Sequence, residues 1–343
     1  MKERYDNLDG LRVISCLCII AMHIMANADY SLGRVGSRII GSWTHFVPLF
    51  LMISGFGMFC GYYERFKNGS VDLRNFYSKR YGKILPFFVT LIVIDIVLDR
   101  SLSHVIQGLT EATLVFGLLP NNQPEVIGVC WTLGLIFLFY MLFPFAVYLC
   151  WNRRKAWISL GISIMVSLFC SFYYFTDQFV IEGFEDRQSF LYCAPFFLAG
   201  GVVYLNRDAI KGFISRRRWL CLAGCAGLSA AWYFVPAGNT GIWMLKNLIL
   251  FSAWLMYAIS VNSRVMSNKV MKYLSGISLE LYLAQMVMFR FVEKFRALYL
   301  FGHGWVSFIA VWAAIVIGLI VFVELWKRLW NFARSRLKGE SRA

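Results

Sequence analysis

The chain reads as an all-α integral membrane protein, a polytopic bundle of about ten transmembrane helices with both termini cytoplasmic. Three observations predict this. Hydrophobic residues make up 59% of the 343 and charged residues only 15%, against about half and a quarter in soluble domains. Apolar stretches near the roughly 20 residues of a membrane-crossing helix recur from one end of the sequence to the other. Basic residues collect in every second connection, as the positive-inside rule requires. Together these exclude a soluble globular protein.

The spans follow in order at about 11–29, 43–63, 84–99, 126–150, 156–176, 189–205, 219–236, 242–262, 273–292 and 304–326, each an apolar run broken by charged or turn-forming residues. Between the third and fourth, Ser101 to Leu119 reads as a re-entrant or interfacial helix before the turn cluster Pro120-Asn121-Asn122-Gln123-Pro124. Residues 1–343 are read as a single membrane domain, without internal repeat, low-complexity tract or soluble module. No cleavable leader is expected, since no small-residue cleavage site follows the first apolar run.

Orientation follows from the basic residues. Twenty-five fall on one side, from Lys2 and Arg4 through the 65–83, 153–155, 207–218 and 264–272 connections to the segment after Lys327; only seven fall on the other. The richer side is cytoplasmic, and a bacterial plasma membrane is the expected setting. A net charge of +15 distributed in this way serves topology. No basic stripe with interleaved aromatics is present, so no nucleic acid partner is expected. The 12 Trp and 17 Tyr suit interfacial belts. Asp177, Glu182, Glu185 and Asp186 make the 177–187 connection acidic. Nine cysteines form no CxxC pair, and they read as small buried hydrophobes rather than a disulfide frame or zinc site.

Ionisable groups inside spans are costly and therefore candidates for function. They are Arg12, His23, Asp95, Lys246, Glu280, Arg290 and Glu324. Lys246, Arg290 and Glu324 lie near span ends, where snorkelling explains them. Glu280 reads as the partner of a cytoplasmic-side base such as Arg80. His23 stands alone, with no second histidine at helical spacing to form a metal pair. Arg12 and His23 are eleven residues apart, about 20° from three full turns, so they share a face with about 16 Å between them along the axis. A ligand held by the arginine reaches the imidazole with an extended arm. A neutral imidazole serves as general base at cellular pH when its other nitrogen is oriented. Asn27, one turn on, and Asp95, at similar depth, are both open for that role.

The opening Tyr5-Asp6-Asn7-Leu8-Asp9-Gly10-Leu11-Arg12-Val13-Ile14, with His23 following, resembles that of the membrane-bound acyltransferase-3 family. Phe50 to Phe56 (FLMISGF) is similar to the family's FFxxSGF element. Phe76 to Pro86 (FYSKRYGKILP) is similar to its FxxxRxxRIxP element, and Ile277 to Leu283 (ISLELYL) to its late iSLeiYL segment. Trp131-Thr132-Leu133-Gly134, with Tyr140 and Pro144, matches more loosely. The chain departs from the pattern at Val13 for glycine, at Lys83 for the second arginine, at Ile136 and its neighbours, where some members carry a glutamate, and at Gln285 for a second histidine.

The resemblance implies transfer of an acyl group, commonly acetyl, from cytoplasmic acyl-coenzyme A to a hydroxyl of an extracytoplasmic or lipid-linked glycan. Cations at the cytoplasmic end, Arg12, Arg80 and Lys83, then hold the donor's phosphates. Ser54 and Trp131 complete the substrate-binding set, and His23 and Asp95 are the catalytic candidates. His23 acts as general base or as a transient acyl carrier in a ping-pong route. Acyl-coenzyme A enters as a substrate; no resident cofactor and no metal are expected. The partners are that donor, a glycan or lipid-linked sugar and the bilayer, with a homo-oligomer left open. The competing readings are a transporter or flippase of a lipid-linked sugar, which predicts inverted repeats, and a sensor or partner of a separate catalytic subunit.

Overall fold

A computed structural model describes residues 5–98, 100–118, 124, 126–180 and 183–340, with side chains to residue 336. The acidic Glu182, the turn residues Pro120 to Gln123, and Lys2 and Arg4 lie outside the described residues. The described part is helical, with no strand among it. Ten helices occupy the ten expected spans: α1 (Asn7–Ala26), α3 (Val47–Lys67), α4 (Leu73–Leu98), α6 (Trp131–Leu149), α7 (Arg153–Phe169), α8 (Phe190–Leu205), α10 (Arg218–Phe234), α11 (Thr240–Ser260), α12 (Lys269–Lys294) and α13 (Trp305–Glu340). Seven segments, containing α1, α3, α4, α6, α7, α11 and α13, are long and apolar enough by themselves to cross a membrane. Three shorter helices lie between spans: α2 (Gly33–Ser42), α5 (Leu102–Ala112) and α9 (Arg207–Arg216). Residues 101–118 thus form a short helix followed by a 3-10 turn at Val115–Leu118, too short to span, and Leu119 lies outside the described residues.

Helix starts follow the sequence. Ser101, Asn152, Ser189, Asn239 and Asn268 each accept a backbone N–H from the first turn of α5, α7, α8, α11 and α12. Pro48 opens α3, where its missing N–H costs no helical bond.

Two apolar clusters form the interior. One is built mainly from α3, α6, α7, α8 and α11, the other mainly from α1, α4, α12, α13 and the start of α6. Within the first, α3 and α8 touch backbone to backbone: a Cβ on Gly55 would lie 2.2 Å from the Phe197 carbonyl oxygen, and one on Gly200 2.2 Å from that of Met52. Small residues let membrane helices approach this closely.

Contacts fix which ends share a side. Lys272 at the start of α12 pairs with Asp6 at 3.1 Å. Tyr273 donates to Glu324 far along α13, at 2.9 Å. The Lys211 ammonium of α9 sits 4.4 Å from the centre of the Tyr5 ring. Asn7 receives the Ser263 N–H at 3.1 Å and donates to the Val261 carbonyl. The starts of α1 and α12, the far half of α13 and the basic connections therefore gather at one end of the bundle. Every cysteine is free, and six of the nine are buried.

Candidate active site

Between the two clusters, opening near the basic end, is a cavity of about 280 Å³ lined by α1, α3, α4, α6 and α12. Its lining includes Arg12, Ser54, Arg80, Lys83, Tyr140 and Glu280. Three cations thus face one carboxylate, which suits a polyanion. On α3 the lining runs from Val47 to Met58, about 16 Å of helix. The cavity is therefore a shaft along the bundle, narrow enough for a chain and too small for a nucleotide.

Each cation is set by its surroundings. Arg12 donates to the Ser275 hydroxyl at 3.2 Å, and that hydroxyl donates to Asp9 at 2.7 Å. Arg80 lies among rings, its guanidinium carbon 5.0 Å from the centres of Tyr62 and Tyr140 and 5.8 Å from that of Phe76. Its Nε is buried without a hydrogen-bond partner among the described residues. A half-buried, aromatic-boxed guanidinium with an unspent, buried Nε donor is prepared for an anion. Lys83 is exposed at the mouth. Glu280 shares the cavity lining with both Arg80 and Lys83.

Farther out, Thr132 donates to the hydroxyl of Tyr282 at 3.0 Å, and that hydroxyl donates to the Val129 carbonyl at 3.1 Å. Both side chains line the cavity, with Val47 and Phe50. Val47 follows the 3-10 turn Trp43–Phe46, which packs on α1.

His23 is not among the lining residues; it lies half-buried in the last turn of α1, the helix that carries Arg12. Its carbonyl accepts from the Asn27 side chain at 2.8 Å, so Asn27 caps the helix and does not engage the ring. Asp95, the other expected orienter, is committed elsewhere. Its Oδ1 accepts from Arg290 at 2.7 Å and its Oδ2 lies 3.3 Å from His104 Nδ1. A carboxylate buried in the bundle takes the nearest charge and donor partners. Asp95 thus ties α4 to α12 and α5, and it lies outside the cavity. Trp131 packs between the two apolar clusters and also stays out of the lining, where its neighbour Thr132 appears.

One residue gains weight from the fold. The helices α1 and α12 run parallel, with Cys16 donating to the Ser278 carbonyl at 3.4 Å. Seven residues on from each are His23 and Gln285, and seven residues is within about 20° of two turns. The two side chains therefore stand at one level on the facing sides. Gln285 is 2% exposed, and neither its Oε1 nor its Nε2 has a partner among the described residues. A buried amide with both ends unspent is costly. It was legible in the sequence only as a departure from the resembling pattern.

The family model described as an acyltransferase domain matches residues 5–326. The chain belongs to the acyltransferase-3 family. As a membrane acyltransferase-family protein, it is set apart from the transporter reading. No curated protein and no solved structure matches it. The family match runs from Tyr5 into α13, so the basic-end cavity and His23 both fall within the acyltransferase domain. Among the described residues no cluster of His, Cys, Asp or Glu has the grouping to hold a metal ion.

Proposed function

We propose that the protein is an O-acyltransferase, taking an acyl group, acetyl in the simplest case, from acyl-coenzyme A at the basic end and passing it to a hydroxyl of an extracytoplasmic or lipid-linked glycan. The observation that carries the reading is the shaft itself: Arg12, Arg80 and Lys83 line a narrow cavity that runs toward the level of His23 within an acyltransferase domain. The donor's phosphates sit on these cations at the mouth, and its slender pantetheine arm follows the shaft past Ser54 and Tyr140.

In the direct route the acceptor oxygen attacks the thioester carbon, a C–O bond forms and the C–S bond breaks. The proton leaves the hydroxyl for His23 and passes on to the departing thiolate. A ping-pong route through an acyl-imidazole uses the same residue. Gln285, facing His23, replaces Asp95 and Asn27 as the group that orients the ring or the acyl carbonyl. The general-base contribution is on the order of 10²–10⁴ in rate.

The test is purified protein in nanodiscs with acetyl-labelled coenzyme A and a surface glycan as acceptor. Transfer of label that His23→Ala abolishes supports the reading. Silence with a panel of acceptors, or full transfer by folded His23→Ala, removes it.

A further inference from the structure

At the end of the bundle opposite the donor mouth lies a second cavity, of about 220 Å³, between α2, the Trp43–Phe46 turn, the end of α10 and the start of α11. Arg38, His45, Trp232, Tyr233 and Trp243 line it. Its polar chemistry is one-sided. Among the described residues Arg38 is satisfied only by the Tyr233 carbonyl, at 3.4 Å. The Lys246 ammonium lies 4.2 Å from the centre of the Trp243 ring and donates to the Val235 carbonyl. Neither cation pairs with a carboxylate among the described residues. The next cation, Arg187, donates to Thr44 but is already paired with Glu185 at 3.0 Å.

The histidine adds a further donor. Trp232 Nε1, which can only donate, gives its hydrogen to Asn247 Oδ1 at 2.9 Å. That fixes the amide so that Nδ2 faces His45 Nδ1, at 3.4 Å. Nδ1 is then the acceptor in the neutral ring, and the proton resides on Nε2. His45 is stacked on Trp243, centroids 4.3 Å apart and planes 14° apart, which holds the ring in place. One unpaired cation in the lining, Arg38, a second, Lys246, over the ring of the lining Trp243, a donor imidazole and indole walls make a site that gives hydrogen bonds and accepts few. The volume is below the roughly 300–1,000 Å³ of drug-sized sites, so what it holds is small: one charged group or one sugar ring.

We propose that this outer pocket binds the acceptor through an anionic group, a carboxylate or a phosphate carried by the sugar. The inference rests on the acyltransferase reading for the word acceptor, but its chemistry is tested without turnover. Both sources are covered by titrating protein in nanodiscs with three probes: a glucuronate-containing tetrasaccharide, a short-chain prenyl-phosphate-linked disaccharide, and a neutral tetrasaccharide. The expected result is binding of at least one anionic probe about tenfold or more tighter than the neutral one. Arg38→Gln and Lys246→Gln each weaken that binding about tenfold, the scale of a lost hydrogen bond to a charged group. Coenzyme A affinity stays unchanged. Arg34→Gln, an exposed residue on the same α2 that neither lines the pocket nor, unlike Lys246, lies over one of its rings, leaves binding intact. Tighter binding of the carboxylate probe identifies an acidic polymer, and of the phosphate probe a lipid-linked sugar. Equal binding of neutral and anionic probes, no binding at all, or an equal loss in Arg34→Gln overturns the proposal. Binding as expected without acetyl transfer under any condition leaves the pocket standing and removes the enzymatic reading.

Discussion

Replacing Gly55 by alanine tests the contact on which the cavity wall depends. The added Cβ would lie 2.2 Å from the Phe197 carbonyl oxygen and 3.0 Å from its carbon, about 1 Å inside ordinary contact. Both neighbours are helix backbone, so no side chain can swing away. The helices must separate, and a gap of 0.5–1 Å already forfeits about a quarter to a half of each dispersion contact. Overpacking costs about 1–3 kcal/mol, and this rigid contact belongs at the upper end, about 3 kcal/mol. Gly61, on the same α3 with nothing within 4 Å of its Cβ, is the control: its alanine variant gains helix propensity and shifts stability by less than about 1 kcal/mol. The assay is reversible unfolding in mixed micelles, read by helical circular dichroism. A Gly55→Ala protein as stable as the wild type, or a Gly61→Ala protein equally damaged, would refute the reasoning.

Other outcomes follow from the site. Arg80→Lys keeps the charge but loses the planar fork among Tyr62, Phe76 and Tyr140; coenzyme A affinity measured by calorimetry falls about tenfold or more. Gln285→Leu lowers acyl transfer at saturation by about tenfold or more while the donor KM stays put, since Gln285 lies beyond the cation cluster; a rise in KM alone would contradict its place beside His23. Asp95→Asn weakens the pairing of a buried carboxylate with an exposed Arg290 and costs stability, about 1–2 kcal/mol, with the rate of the folded enzyme unchanged. A rate loss at unaltered stability would return Asp95 to the chemistry. Burial pushes the Glu111 carboxyl up, outweighing the N–H bonds from Val126 and Ile127. A raised carboxyl contributes its stability fully below its unfolded value and loses it as pH rises through the folded one. Wild-type stability relative to Glu111→Gln therefore declines as pH climbs out of the ordinary carboxylate range; a flat difference would show that burial does not hold the carboxyl up.

The helices at the ten expected positions were legible because hydrocarbon imposes one rule, satisfaction of every backbone group within a long apolar helix, and seven segments meet it by length and composition alone. The short α2 and α9 were not anticipated. Each is ten residues long with arginines among its apolar positions, which reads as loop until the fold supplies a surface for one face. Arg12, Arg80, Lys83 and Ser54 were named from the resemblance and converge on one cavity. Asp95 misled because depth in a span says nothing about neighbours: Arg290 and His104, from two other helices, claim it first. The level pairing of His23 with Gln285 needed the register of two parallel helices, which contacts such as Cys16–Ser278 and Arg12–Ser275 supply. The outer pocket joins residues up to about 200 positions apart in sequence, beyond the reach of any local pattern.

The central claim is that the donor binds on the basic-end cations and reacts at His23. Its most direct test is a paired measurement on His23→Ala: affinity for labelled acetyl-coenzyme A, and label transfer to glycan in the same sample. The account predicts wild-type donor affinity with transfer abolished. Transfer at the wild-type rate, or loss of donor binding with the fold intact, would contradict it.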